Sequence, residues 1–184
     1  MPARRRVANA HPDIPGVEWG HVEARADDRG AFRELWRASS STARFVQANL
    51  SLSRRGVLRG LHYHRRQLDH WIVVEGEVFV ALVDLRDRQA GAKPRPVTRV
   101  LTPDDSVTIP EMVAHGFVAL APTSLLYLVT NEYDNSDELG LAWDDPDIGV
   151  PWPAVATADG RPIISERDGR NPSFAELRKA LAGA

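Results

Sequence analysis

The sequence predicts an all-β protein, a sandwich or barrel of short antiparallel strands finished by one helix. Three observations predict it. Short β-rich runs follow one another at close spacing through the middle of the chain, the pattern of a sandwich or barrel. Turn signals separate them at Arg54-Arg55-Gly56, Glu75-Gly76, residues 91–96, Pro103-Asp104-Asp105 and Ala121-Pro122-Thr123. Helical patterning is confined to the C-terminal end.

Taken in order, strands are expected over residues 45–52, 57–63, 70–74, 77–85, 97–101, 106–109, 116–120 and 125–130. The run 77–85 is apolar along most of its length, so both of its faces should be covered. Residues 135–170 are rich in Asp, Pro and Gly. They read as a long ordered loop wrapping the β-structure, and loops of that length are often functional. Ser173 and Glu176 have capping-box spacing ahead of an apolar-periodic segment, with Gly183 as the stop, which predicts a helix over about 173–182. No repeat, low-complexity tract or linker divides the chain. A single domain over 1–184 is expected, with its core over about 16–170.

Composition excludes more than it names. Of the 184 residues, 43% are hydrophobic and 26% charged, as in ordinary globular proteins. A net charge of -2 argues against a nucleic-acid polymer or an anionic membrane as partner. Arg4-Arg5-Arg6 reads as a solvated terminus. No stretch approaches a transmembrane span, and residues 1–10 lack the apolar segment of a signal peptide. With no cysteine there is neither disulfide nor thiolate chemistry, and a cytoplasmic setting is expected.

The most informative segment is Gly56-Val57-Leu58-Arg59-Gly60-Leu61-His62-Tyr63-His64. Side chains alternate along a strand, so Arg59 and Leu61 should face one way while His62 and His64 share the other face. Downstream lie Asp69, Gly76 and a third histidine, His115, after the turn at Pro110. The spacing Gly56, His62, His64, Asp69, Gly76 resembles the first metal-binding signature of cupins, and Pro110 with His115 resembles the second. Taken together, His62, His64, Asp69 and His115 are candidate ligands for a divalent transition metal: iron, manganese, zinc or nickel.

A second resemblance covers most of the chain. Its motifs begin with Asp28-Arg29-Gly30, Phe45-Val46-Gln47-Ala48-Asn49, residues 56–63, Gly76-Glu77-Val78-Phe79 and Val83-Asp84-Leu85-Arg86. They continue with Ile109-Pro110, Ala114-His115-Gly116-Phe117, Leu126-Tyr127, Tyr133, Trp143-Asp144-Asp145-Pro146-Asp147, Trp152-Pro153 and Ser165-Glu166-Arg167-Asp168. In this order they resemble the dTDP-4-dehydrorhamnose 3,5-epimerases, members of the cupin superfamily. The resemblance implies a cupin jelly roll, a homodimer and no required cofactor. The implied substrate is a dTDP-linked 4-keto-6-deoxyhexose of deoxysugar (rhamnose-type) biosynthesis, epimerised through an enolate.

By the same resemblance, His62 matches the base, Asp168 the carboxylate that orients it, and Tyr127 the acid across the sugar ring. Arg29, Arg59 and Arg167 match substrate-binding positions, where guanidinium forks suit diphosphate. Glu34, Gln47, Asn49, His115 and Glu138 match further contacts, and Tyr133 an aromatic that stacks on thymine. Two positions depart from the family pattern: Asp69 stands where it has lysine, and His64 where it has glutamine. A carboxylate at that point should repel an enolate. Three readings follow. The chain is an epimerase of altered regiochemistry or substrate; or it holds a metal through His64, Asp69 and His115 in place of the lysine; or it is a metal-dependent cupin oxygenase or isomerase. The first is preferred because Asp168 and Tyr127 have no role in the third. A non-catalytic binding protein should lack His62 or Tyr127.

Overall fold

The protein is described by a computed structural model that covers residues 14–86, 93–155 and 160–182. Arg4-Arg5-Arg6, residues 1–10, Gly183 and the start of the turn at 91–96 lie outside the described residues. The strands are β1 (Glu18–His21), β2 (Ala24–Asp27), β3 (Gly30–Arg33), β4 (Gln47–Ser53), β5 (Leu58–Tyr63) and β6 (Asp69–Glu75). They continue as β7 (Val78–Asp84), β8 (Val97–Leu101), β9 (Asp105–Ile109), β10 (Val113–Ala119), β11 (Thr123–Val129) and β12 (Leu139–Gly140), and helix α1 (Phe174–Ala182) follows.

Two five-stranded sheets, β1-β9-β6-β11-β4 and β12-β5-β10-β7-β8, carry the fold, and β2-β3 form a separate hairpin. Every strand pairing in them is antiparallel. Both large sheets end in edge strands, so the architecture is a jelly-roll sandwich and not a closed barrel. Trp71, Val73, Val107 and Leu125 of the first sheet pack against Val78, Val80, Leu82, Val113 and Phe117 of the second. The second sheet is covered outside as well: Leu61, Tyr63, Ala81, Val83 and Ala114 pack with Leu141, Ile148, Phe174 and Leu177. β7 therefore has the doubly buried setting that its apolar run predicts.

Most expected strands stand within about two residues of their forecast bounds, the error usual for element ends. β10 is the exception, starting at Val113 instead of residue 116. The turn after Pro110 is tighter than expected because Met112 takes a left-handed conformation, φ 59°, and the chain re-enters the sheet at once. β1, β2, β3 and β12 escaped prediction: all are short and show no alternating burial, the first three largely exposed and the two residues of β12 half-buried. At α1 the capping box forms as forecast. The Glu176 carboxylate accepts from the Ser173 N–H at 2.9 Å, and the Glu176 N–H donates to Ser173 Oγ at 3.3 Å.

One irregularity positions the site. Opposite β10, three steps of β5 from Arg59 to His62 match only two steps from Phe117 to His115. The extra residue is a β-bulge, which shifts side-chain parity. Arg59 thus faces the same cavity as His62, contrary to simple alternation, while Leu61 points into the outer core as expected. Glycine is required where the two strands cross. A Cβ on Gly60, at φ +123°, would lie 2.7 Å from Gly116 Cα, and one on Gly116 would lie 2.7 Å from the Arg59 carbonyl oxygen.

Candidate active site

A cavity of about 690 Å³ opens between the sheets, a size that suits a small-molecule site. One wall comes from β5 and β10 with His62, His64, Arg59, His115 and Phe117; the other comes from β4, β6 and β11 with Gln47, Asn49, Asp69, Trp71 and Tyr127. Glu138, just before β12, and Ser165, Arg167 and Asp168 of the loop before α1 close the rim.

His62 and Asp168 are 106 residues apart, and the loop brings them together. Ile163 pairs with the chain entering β5: its N–H donates to the Gly56 carbonyl, and its own carbonyl accepts the Leu58 N–H. A short 3₁₀ turn, Asp168–Arg170, then sets the Asp168 carboxylate 2.7 Å from His62 Nε2. The second carboxylate oxygen accepts the Gly60 N–H at 3.3 Å. Burial alone would raise the Asp168 pKa. The hydrogen bond and charge of His62, with the Gly60 N–H, hold it below the ordinary carboxylate value. Asp168 is therefore an anion at neutral pH, so His62 Nε2 carries the hydrogen it donates. In the neutral imidazole the lone pair is then on Nδ1, which borders the cavity 3.6 Å from Glu138 Oε1.

Tyr127 stands on the opposite sheet, paired across β4 with Asn49 and across β6 with Trp71. Burial pushes its phenol above the ordinary value; the charges of Asp69 and Glu138 add to this and Arg59 opposes it. It is a neutral proton donor throughout the physiological range. A lone-pair imidazole nitrogen on one sheet and a phenol on the other thus border one cavity. Such a pair can remove a carbon-bound proton from one face of a flat ligand and return one to the other.

His64, Asp69 and His115 form a second cluster in the same cavity, all buried, with one donor atom from each within 4.8 Å of the others. Burial pulls His115 down to about 4, partly opposed by Asp69, so it is neutral. His62 does not join this cluster. Its two nitrogens face Asp168 and Glu138, which corrects the expectation of a four-ligand set that included it.

Of the other candidates, Gln47, Asn49, Arg59, His115, Tyr133, Glu138 and Arg167 line the cavity. Tyr133 sits at its mouth, 63% exposed, with its N–H donating to Gln47 Oε1. Arg29 and Glu34 do not reach it within one chain. They lie on and just after the exposed β2-β3 hairpin, paired with Asp27 and Arg37. Sequence reasoning assigned no role to Gln67 or Asp137. Gln67 Nε2 donates to Asp69 Oδ1 at 2.8 Å. Asp137 accepts the Arg65 and Arg66 N–H groups and offers its carbonyl to His64. The i,i+2 spacing to Asp69 was the one available signal for Gln67.

The model of the dTDP-4-dehydrorhamnose 3,5-epimerase family matches residues 11–176. The chain belongs to this family. It is 39% identical over 157 residues to the dTDP-4-dehydrorhamnose 3,5-epimerase of Methanothermobacter thermautotrophicus, covering 79% of this chain and 83% of that one. The solved structure of the rmlC epimerase of Mycobacterium tuberculosis superposes with a TM-score of 0.82 at 31% identity, over 93% of this chain and 90% of that one. A Legionella pneumophila dTDP-6-deoxy-D-glucose-3,5-epimerase in complex with dTDP-4-keto-L-rhamnose gives 0.79 at 30% identity, over 92% and 93%. These likenesses mark an isomerase of nucleotide sugars and favour that reading over a metal-dependent cupin oxygenase or isomerase. Among the described residues of this epimerase-family chain, no helix is long and apolar enough to cross a membrane.

Proposed function

We propose that this epimerase inverts one or both carbons flanking the ketone of a dTDP-linked 4-keto-6-deoxyhexose. The observation that carries the proposal is the pairing of the His62–Asp168 dyad on one wall with Tyr127 on the other. A ketone acidifies the hydrogens of its neighbouring carbons. His62 Nδ1 takes one, and the imidazolium that forms is stabilised by anionic Asp168 at 2.7 Å. The electron pair passes to the ketone oxygen as an enolate, and Tyr127 delivers a proton from the opposite face. Solvent then restores the phenol and takes the proton from His62. General base catalysis of this kind contributes about 10²–10⁴-fold.

Binding is assigned by chemistry. Arg59 and Arg167 border the cavity and suit the diphosphate, and Tyr133 at its mouth suits stacking on thymine. No organic cofactor takes part in this scheme. A homodimer belongs to the proposal: β4 is an edge strand that leaves Leu50 and Leu52 59% and 68% exposed. A second copy seated there would also give the hairpin bearing Arg29 a surface to reach. A cytoplasmic setting is retained on the cysteine-free composition.

The test is proton–deuteron exchange followed by NMR on dTDP-4-keto-6-deoxyglucose in heavy water. Exchange beside the ketone is expected, and the exchanging positions give the regiochemistry. His62→Ala should abolish it with the fold intact; undiminished exchange in that variant removes the assignment.

A further inference from the structure

We infer that His64, Asp69 and His115 bind one divalent transition-metal ion in the wall of the substrate cavity. The role given below to that ion rests on the proposed epimerisation; the binding does not.

Hydrogen bonding carries the argument. His64 Nδ1 lies 2.9 Å from the Asp137 carbonyl oxygen, and His115 Nδ1 lies 2.9 Å from that of Val113. Each therefore donates its Nδ1 hydrogen, and in the neutral imidazole Nε2 holds the lone pair. Both Nε2 atoms point at one carboxylate: His64 Nε2 is 3.9 Å from Asp69 Oδ1 and His115 Nε2 is 3.7 Å from Oδ2. Two lone pairs and an anion thus converge in a buried place, beyond direct hydrogen-bond reach of one another. A bridging water has only two hydrogens for these three groups. A cation satisfies all three together.

The supports match a metal centre. Ligating imidazoles commonly donate their other N–H to a backbone carbonyl, as both do here, and ligating carboxylates are themselves hydrogen-bonded. Asp69 accepts from Gln67 Nε2 at 2.8 Å and from Trp71 Nε1 at 3.2 Å. Donors on a shared ion at about 2.1 Å stand about 3.0–3.4 Å apart, so the three donors, within 4.8 Å of one another, would draw together on binding. Two imidazoles and one carboxylate suit a divalent first-row metal and leave positions open to the cavity.

An ion there would hold the ketone oxygen as a Lewis acid. When the C–H bond breaks, its proton goes to His62 Nδ1 and its electron pair moves to that oxygen, whose negative charge the ion offsets. The metal is neither oxidised nor reduced. Without a cation, the charge of Asp69 opposes the enolate.

The test titrates chelator-treated protein with cobalt(II), following visible absorption, and measures metal content after gel filtration. One cobalt per chain is expected. Asp69→Asn and His64→Gln, checked for folding by thermal unfolding, should each weaken binding at least about 10-fold. His62→Ala should keep both the stoichiometry and the spectrum. Substoichiometric binding, undiminished binding in both ligand variants, or loss of binding in His62→Ala overturns the inference. The sugar assay separates the two proposals. Exchange in wild type that persists after metal is removed leaves the epimerase reading and overturns the ion's role; cobalt binding without any exchange leaves the binding and overturns the epimerase reading, and the ion's role with it.

Discussion

Replacing Asp168 by Asn tests the dyad without changing its shape. Asp168 is buried, and its two carboxylate oxygens meet His62 Nε2 at 2.7 Å and the Gly60 N–H at 3.3 Å. An amide serves only one of them correctly. With its oxygen toward His62, the NH₂ faces the Gly60 N–H, donor against donor. Reversed, the NH₂ donates to Nε2, the hydrogen moves to Nδ1, and the base is in the wrong tautomer. In either orientation the charge that stabilises the imidazolium is gone. A hydrogen bond to a charged group contributes about 1.5–3 kcal/mol, equivalent to about 10- to 150-fold in rate. Exchange at saturating substrate should therefore fall about 10²-fold with little change in KM, because the loss arises as the proton moves. Deuterium incorporation followed by NMR measures it, with near-UV circular dichroism as the control for folding. A variant within about twofold of wild type would refute the dyad.

Four further outcomes are expected. Tyr127→Phe should retain exchange at the face served by His62 while losing inversion, which NMR of the product stereochemistry distinguishes. The Tyr127 pKa is raised, so its phenol stays protonated to higher pH than an ordinary tyrosine; the wild-type-minus-Phe difference in ultraviolet titration should place its ionisation above about pH 10. Asp168, with a lowered folded pKa, stabilises the fold above the unfolded carboxylate value of about 3.9 and ceases to do so as pH falls through the folded value. Asp168→Asn should accordingly flatten the acid limb of stability measured by urea unfolding. Gly60→Ala forces a Cβ against Gly116 at positive φ and should cost about 1–3 kcal/mol in the same assay.

The strand content was legible because buried strands in this chain are apolar or alternating and are separated by Gly, Pro and Asp. Of the four missed strands, three leave their residues largely exposed and β12 is two half-buried residues long, so no burial pattern was written into them. The pairing of His62 with His64 on one cavity followed from alternation alone. The placement of Arg59 beside them did not, because the bulge in β5 depends on its partner strand β10. Asp168 was legible only through family likeness: nothing local says that a residue 106 positions away will meet His62. The membership of the histidine cluster was likewise beyond spacing. His62 and His64 look equivalent in the sequence, and only the folded geometry shows that His62 Nε2 meets Asp168 at 2.7 Å while the Nε2 atoms of His64 and His115 turn toward Asp69.

That division decides how the site separates its functions. A histidine bound to a cation through its free nitrogen has no lone pair left to take a proton, so one imidazole cannot be both ligand and base. The bulge and the 3₁₀ turn resolve the conflict by giving His62 its own anion, Asp168, and leaving Asp69 to the other two imidazoles. The two carboxylates then act on different charges. In the proposed scheme Asp168 stabilises the imidazolium formed when the proton leaves carbon, and Asp69 would anchor the positive charge that offsets the enolate. They are set on different elements, the loop before α1 and strand β6. Substitution at one should therefore leave the other's signature intact. Asp168→Asn should bind cobalt as wild type does, whereas Asp69→Asn should keep the acid dependence of stability that Asp168 contributes.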